Sequence, residues 1–120
     1  MNPLESALIG IQYFDGRVEY IVCKYDGYEV RDVLHKHYMR RAQVLKLIRM
    51  GNVECKECVE CIDHNILREE YVPAKVVANY SDFYDVDQYP YYYLFTTDNS
   101  WTVYHNTDES SKKPSVLFYY

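Results

Sequence analysis

The hydrophobic pattern of this chain changes period within residues 25–52. Before this stretch, apolar residues are grouped as in β-strands; within it they recur every three or four positions, as on one face of an amphipathic helix. The residues in this stripe are Val33, Leu34, Tyr38, Ala42, Leu45 and Ile48. Gly51 directly follows the last periodic positions, where a left-handed helix C-cap is common. The pattern predicts one helix, or two helices in sequence, over residues 30–50.

A β-hairpin is predicted for residues 7–24. Two β-rich runs flank Asp15-Gly16, and Asp-Gly between such runs is a strong hairpin signal. A two-residue turn there places Tyr13 opposite Val18 and puts six apolar residues on one face of the pair. The six are Ile9, Ile11, Tyr13, Val18, Tyr20 and Val22.

A second hairpin is predicted for residues 91–105, around a four-residue turn. With Thr96 opposite Trp101, we expect Leu94, Trp101 and Val103 on one face, and Tyr91, Tyr93, Phe95 and Tyr104 on the other. A further β-rich run in residues 69–79 adds a strand.

The order of these elements predicts an α+β fold: an antiparallel β-sheet of about five or six strands with two or three helices packed on one face. A chain of 120 residues fits a single domain, residues 1–120. Residues 106–113 are predicted to be a polar linker before a β-prone C-terminal segment, residues 116–120. We expect that segment to pair as a strand, in this protomer or in a neighbouring one.

The charge distribution is uneven. The chain has a formal net charge of −5, yet the outward positions of the predicted helices are mostly basic. Such a face is either an anion-binding site or an ordinary solvated helix surface. Net acidity argues against general nucleic-acid binding. The chain has no long apolar run and no secretory leader pattern, so we expect no membrane association and a cytoplasmic location.

Zinc-ligand residue types are concentrated in one short run. Cys55, Cys58 and Cys61 are spaced by three, with His64 three positions further on. On a straight helix the first and third Cys would be about 240° apart, so all four could bind one ion only in a loop or a broken helix. The alternative is that the Cys are small buried hydrophobic residues. No other cofactor and no catalytic motif is indicated, and we expect a protein that is not an enzyme.

Several short motifs resemble a family of small phage and prophage proteins. These are Y-D-G-Y at 25–28, V-L-x-x-H-Y at 33–38, K-L-I-x-x-G-N at 46–52, Y-Y-Y-L-F at 91–95 and W-T-V-Y at 101–104. The chain departs from the family pattern at residues 29–32 and in the Cys-rich run. The resemblance implies an anti-defence factor. A functional analogy is the first type of Thoeris anti-defence protein, which sequesters cyclic ADP-ribose signals and forms oligomers with ligands between protomers.

This resemblance leads us to expect a viral, bacteriophage-encoded protein that sequesters a nucleotide-derived immune signal, of the cyclic ADP-ribose or cyclic oligonucleotide type. It is expected to act as a homo-oligomer in the host cytoplasm. Ligand binding would need aromatic rings to stack on a base and cations to hold phosphates. The candidates are Phe83, Tyr93 and Trp101 for stacking, and Lys36, Arg40 and Arg41 for phosphates. Each also has a structural interpretation, as a core aromatic residue or a solvated cation.

Two other functions are compatible with the sequence. The first is an anti-CRISPR-like inhibitor that binds a host defence protein and covers its basic groove with acidic residues from 54–63 and 82–87. The second is a small structural protein stabilised by zinc.

Overall fold

The structure is a computed structural model that describes residues 6–61 and 71–105. The predictions for His64, for the linker at 106–113 and for the terminal strand at 116–120 lie outside the described residues. The elements, in chain order, are β1 (Ala7–Gln12), β2 (Val18–Cys23), α1 (Val30–His37), α2 (Arg41–Arg49), α3 (Lys56–Glu60), β3 (Lys75–Val77), α4 (Tyr80–Tyr84), β4 (Tyr91–Phe95) and β5 (Trp101–His105).

The strands form one five-stranded sheet in the order β3-β2-β1-β4-β5. The α+β class with about five strands is therefore confirmed. The sheet is mixed, however, because β1 and β4 pair in parallel while the other neighbours are antiparallel. Parallel neighbours need a long crossover connection, and the segment between the two hairpins, which contains all the helices described, provides it.

The first hairpin has a three-residue loop in place of the predicted two-residue turn. The Tyr13 N–H donates to the Arg17 carbonyl at 2.8 Å, and Gly16 has φ +99°. This is the arrangement of a turn followed by a left-handed residue. The register therefore pairs Gln12 with Val18, and the predicted pairing of Tyr13 with Val18 was wrong. A shift of one residue moves every side chain of a strand to the other face, so half of the predicted apolar face lies on the opposite side.

The second hairpin repeats this loop. The Thr96 N–H donates to the Ser100 carbonyl at 2.9 Å, and Asn99 takes the left-handed position with φ 61°. Phe95 pairs with Trp101, so the predicted pairing of Thr96 with Trp101 was also wrong. Trp101 consequently shares a face with Phe95.

Both faces of the sheet are covered, whereas the sequence predicted helices on one face. The helical face carries Ile9, Ile11, Ile21, Tyr93, Phe95, Trp101 and Val103, packed against apolar residues of α1, α2 and α3. The α4 face carries Leu8, Val18, Tyr20, Tyr92, Leu94 and Tyr104, packed against Phe83 and Tyr84 of α4. The near-continuous apolar sequence of β1 is typical of a strand that is buried on both sides.

The predicted pair of helices and its terminator are present. α2 ends just before Gly51, which has φ +80°. A Cβ atom on Gly51 would lie 2.3 Å from the Val72 carbonyl oxygen, so glycine is required for space as well as for backbone conformation. The next residue, Asn52, donates its N–H to that carbonyl at 2.8 Å and accepts from the Val22 N–H at 2.9 Å. The end of α2 is thereby fixed to β2.

Alanine substitution at two glycines separates the cost of a positive φ from the cost of a steric clash. Both Gly16 and Gly51 have positive φ, which costs a residue with a Cβ atom about 1–2 kcal/mol. The nearest atom to a Cβ at Gly16 is the Ala78 carbonyl oxygen at 4.0 Å. We expect Gly16→Ala to lower the free energy of unfolding by about 1 kcal/mol and Gly51→Ala by about 3 kcal/mol or more, measured by urea denaturation. Equal losses would contradict the close approach of Gly51 to Val72.

Candidate functional site

A groove with a volume of about 270 Å³ lies on the α4 face, at the edge where β1 and β4 end and β5 begins. It is lined by Gln12, Tyr80, Tyr84, Leu94, Thr96 and Thr102. Small-molecule sites usually have volumes of about 300–1,000 Å³, so the groove suits a compact ligand or one ring system of a larger ligand.

α4 forms one wall of the groove, and Phe83 fixes it to the sheet. The Asn79 side chain caps the helix by accepting from the Asp82 N–H at 3.0 Å. Phe83 is fully buried, with its ring centroid 5.8 Å from that of Tyr20. A Cβ atom at Gly10 would lie 3.0 Å from this ring, so glycine in the middle of β1 makes room for Phe83.

Two tyrosines of α4 form the aromatic side of the groove. Tyr84 is buried, in edge contact with Tyr104 at a centroid distance of 5.4 Å. Tyr80 is 52% exposed and lies 6.4 Å from Tyr84 between ring centroids. Burial raises the pKa of Tyr84 to about 12, so its phenol is neutral at physiological pH. The groove thus offers a fixed inner ring and an accessible outer ring.

Polar side chains stand at the strand ends. Gln12 accepts through Oε1 from the Thr97 N–H at 3.3 Å, which orients its NH₂ group as a donor. The Thr96 hydroxyl hydrogen-bonds to the Asp98 carboxylate and to the Ser100 carbonyl. These groups and the Thr102 hydroxyl add hydrogen-bonding capacity to a mostly apolar lining.

Arg41 brings a positive charge to the same strand ends. Its Nη2 donates to the Gln12 carbonyl at 2.9 Å and to the Thr96 carbonyl at 3.3 Å. The guanidinium carbon lies 5.0 Å from the Phe14 ring centroid and 5.7 Å from that of Phe95. Arg41 therefore joins the start of α2 to the ends of both parallel strands, and its guanidinium packs against Phe95 of the helical face and is not part of the groove lining.

The other two predicted phosphate ligands are Lys36 and Arg40. Both are exposed. Lys36 lies in the last turn of α1, and Arg40 is the N-cap of α2, next to Arg41. The groove lining includes none of the three predicted cations; Arg41 bonds to the strand ends, and Lys36 and Arg40 lie on the helical surface.

The three predicted stacking residues are core side chains. Phe83, Tyr93 and Trp101 are 0%, 1% and 1% exposed. The Tyr93 hydroxyl donates to the Gly27 carbonyl at 2.6 Å, and the Trp101 indole N–H donates to the Tyr38 carbonyl at 2.9 Å. Tyr93 and Trp101 lie on the helical face and Phe83 on the α4 face, so the fold does not bring the three together. A base could stack on these rings only after the core had opened.

Sequence reasoning missed the groove residues of α4. The available signal was Asn79 followed three positions later by Asp82, which resembles the start of a helix. It could have placed Tyr80 and Tyr84 one turn apart on the same side of a short helix. The contributions of Gln12, Thr96 and Thr102 depend on strand register.

Among the described residues of the predicted metal-binding set, the structure brings Cys55 and Cys58 together. Cys55 and Cys58 have their sulfur atoms 3.8 Å apart. Cys61 is exposed and follows the last residue of α3. Ligand atoms of Asp26, Cys55 and Glu57 lie within 4.8 Å of one another. The spacing therefore predicted the first Cys pair, while Asp26 comes from a distant part of the chain.

Comparison with protein-family models, with curated proteins and with solved structures found no match to this chain. Within residues 6–61 and 71–105, none of the helices has the length and apolar character needed to cross a membrane.

The raised pKa of Tyr84 predicts alkaline destabilisation. The pKa is 10.0 for an ordinary tyrosine and about 12 in the folded protein, so between these values the unfolded chain has lost a proton that the folded chain retains. The free energy of unfolding should fall by about 1.4 kcal/mol per pH unit from this group. We expect urea titrations of Tyr84→Phe to show a shallower decline above pH 10 than the parent chain. An unchanged slope would contradict this contribution.

Proposed function

We propose that this chain is a phage-encoded anti-defence protein that binds and sequesters a nucleotide-derived immune signalling molecule without turning it over. The assignment to phage rests on the motif resemblance. The groove on the α4 face carries the binding proposal, because it combines two tyrosine rings with an amide and hydroxyl groups in a volume of about 270 Å³.

The chemistry of the groove favours a purine base. Stacking on an aromatic side chain contributes about 1–3 kcal/mol per base, and the half-exposed Tyr80 presents such a ring. A glutamine amide can bind the N6 and N7 atoms of adenine with two hydrogen bonds, which is a role for Gln12. The Thr102 hydroxyl can bind further ring or ribose atoms, and the Thr96 hydroxyl, whose proton is already donated within its turn, can accept from a ligand. Arg41 makes the strand ends more attractive for a phosphate.

The size of the groove also motivates the proposed homo-oligomer. A signalling molecule with two nucleosides, or with a base and a second ribose, is larger than this space. One base would occupy the groove, and the remainder would be covered by a second protomer. β5, which supplies Thr102, is at an edge of the sheet described, where another chain can approach.

A ligand panel tests the proposal. We expect adenosine, ADP-ribose, cyclic ADP-ribose or a cyclic adenine dinucleotide to raise the melting temperature, because a ligand at 100 times its Kd adds about 2.7 kcal/mol to folded-state stability.

Tyr80→Ala should weaken binding at least about tenfold in titration calorimetry, since it removes the accessible stacking ring. Thr102→Val should weaken binding less.

Tyr28→Ala is the matched control for Tyr80→Ala. Tyr28 is 51% exposed, against 52% for Tyr80, and its ring packs against Tyr91 and the Arg31 guanidinium on the other side of the sheet. This variant should bind normally. No stabilisation by any member of the panel, or equal losses in the two variants, would refute the groove as the binding site.

The acidic surface supports a second candidate, an inhibitor of a host defence protein. Asp82, Asp85 and Asp87 are all exposed, in α4 and directly after it. Such a cluster can attract a basic nucleic-acid groove on a partner protein. The test is capture of a host protein by this chain. A captured amount that decreases with added salt and in the triple variant Asp82→Asn, Asp85→Asn and Asp87→Asn, but is unchanged in Tyr80→Ala, would favour this candidate over sequestration of a nucleotide signal.

A further inference from the structure

The spacing of Cys55 and Cys58 matches that of two zinc ligands. Their sulfur atoms are 3.8 Å apart. A tetrahedral zinc ion with Zn–S bonds of about 2.3 Å places two sulfurs about 3.8 Å apart. A disulfide would need an S–S distance of about 2.0 Å, so the pair would have to close by almost half.

Two carboxylates supply the remaining ligand types. Ligand atoms of Asp26, Cys55 and Glu57 all lie within 4.8 Å of one another. The Cys58 sulfur is outside this group and adjoins it through Cys55, so binding all four residues to one ion requires a rotation of side chains. The Lys56 N–H donates to Oδ2 of Asp26 at 3.2 Å, which holds that carboxylate at the start of α3, next to Cys55. Hydrogen bonds of this kind to a ligand carboxylate are typical of the surroundings of a metal ion.

The backbone holds the two contributing segments together. The Lys24 N–H donates to the Val53 carbonyl at 3.0 Å, and the Tyr25 N–H donates to the Glu54 carbonyl at 2.7 Å. These bonds continue the contact of β2 with the segment before α3. Asp26 therefore reaches Cys55 as a consequence of main-chain pairing and does not depend on the metal for its position.

We propose that this cluster is a structural Zn²⁺ site whose ligands are the sulfurs of Cys55 and Cys58 and one oxygen each of Asp26 and Glu57. The ion would fasten α3 to the turn before α1, with four protein ligands as in other structural zinc sites. The ligand set differs from the one the spacing predicted, because Asp26 and Glu57 take the places of Cys61 and His64. The site is independent of the groove and of the proposed function.

Metal analysis of the untagged full-length chain, refolded with excess zinc and then desalted, tests the site. We expect about one zinc ion per chain. Cys55→Ser, Cys58→Ser and Asp26→Asn should each lose most of it. Cys61→Ser is the matched control and should retain it, since Cys61 is exposed at the far end of α3. Zinc retained by both Cys55→Ser and Cys58→Ser, or lost from Cys61→Ser, would overturn the assignment.

A second measurement does not depend on the folding of variants. The parent chain is alkylated with iodoacetamide with and without zinc, and the modified cysteines are mapped by mass spectrometry. Zinc should protect Cys55 and Cys58 and leave Cys61 reactive. Protection of Cys61 to the same extent, equal modification of Cys55 and Cys58 with and without zinc, or a Cys55–Cys58 disulfide in place of bound metal would each overturn the proposal.

Discussion

The parallel pairing of β1 with β4 is the constraint on which the rest of the structure depends. Both are inner strands of the sheet: β1 lies between β2 and β4, and β4 lies between β1 and β5. Their register places Ile9 beside Tyr93. A central strand buried on both faces needs a separate layer on each side. Since parallel strands cannot be joined by a tight turn, the long connection between them has to supply both layers. The cluster at Cys55 and the α4 wall of the groove both lie in that connection.

The groove follows from the shortness of α4. A helix of five residues has little stability of its own, so it depends on tertiary packing, here the insertion of Phe83 against Gly10. One turn of helix covers the middle of this face and leaves a groove at the strand ends, lined in part by the buried Leu94 and the half-buried Thr102. α4 therefore creates both the buried aromatic cluster and the accessible space next to it.

The sequence predicted the features that depend on local periodicity and failed on those that depend on a single loop conformation. The helical stripe and Gly51 were recognisable because they repeat or terminate a 3.6-residue period. Asp15-Gly16 fits both a two-residue turn and a three-residue loop, and the choice between them reverses the faces of Val18 and Tyr20. The first hairpin has a loop one residue longer than predicted and the second a loop one residue shorter, so the predicted faces were wrong in each.

The candidate sites were only partly predictable for a related reason. In a chain with fifteen tyrosines, nothing in the local sequence distinguishes the buried Tyr93 from the half-exposed Tyr80. The Cys55–Cys58 pair follows from spacing, since two residues separate its members. Asp26 is about thirty positions away and meets Cys55 only through the pairing of two backbone segments.

Part of the abundance of tyrosine is explained by the core, where six of the described tyrosines are buried. Buried phenols donate to carbonyls: Tyr38 to Val59 at 2.5 Å, Tyr92 to Val86 at 2.7 Å and Tyr93 to Gly27 at 2.6 Å. The Trp101 indole does the same for the carbonyl of Tyr38, the C-cap of α1. Carbonyls in loops and at helix ends have no strand or helix partner and are costly to bury. A residue with a large apolar body and one polar atom satisfies them while filling the core, which phenylalanine or leucine cannot do. Aromatic content is therefore weak evidence for a ligand here, and the case for one rests on the position of Tyr80.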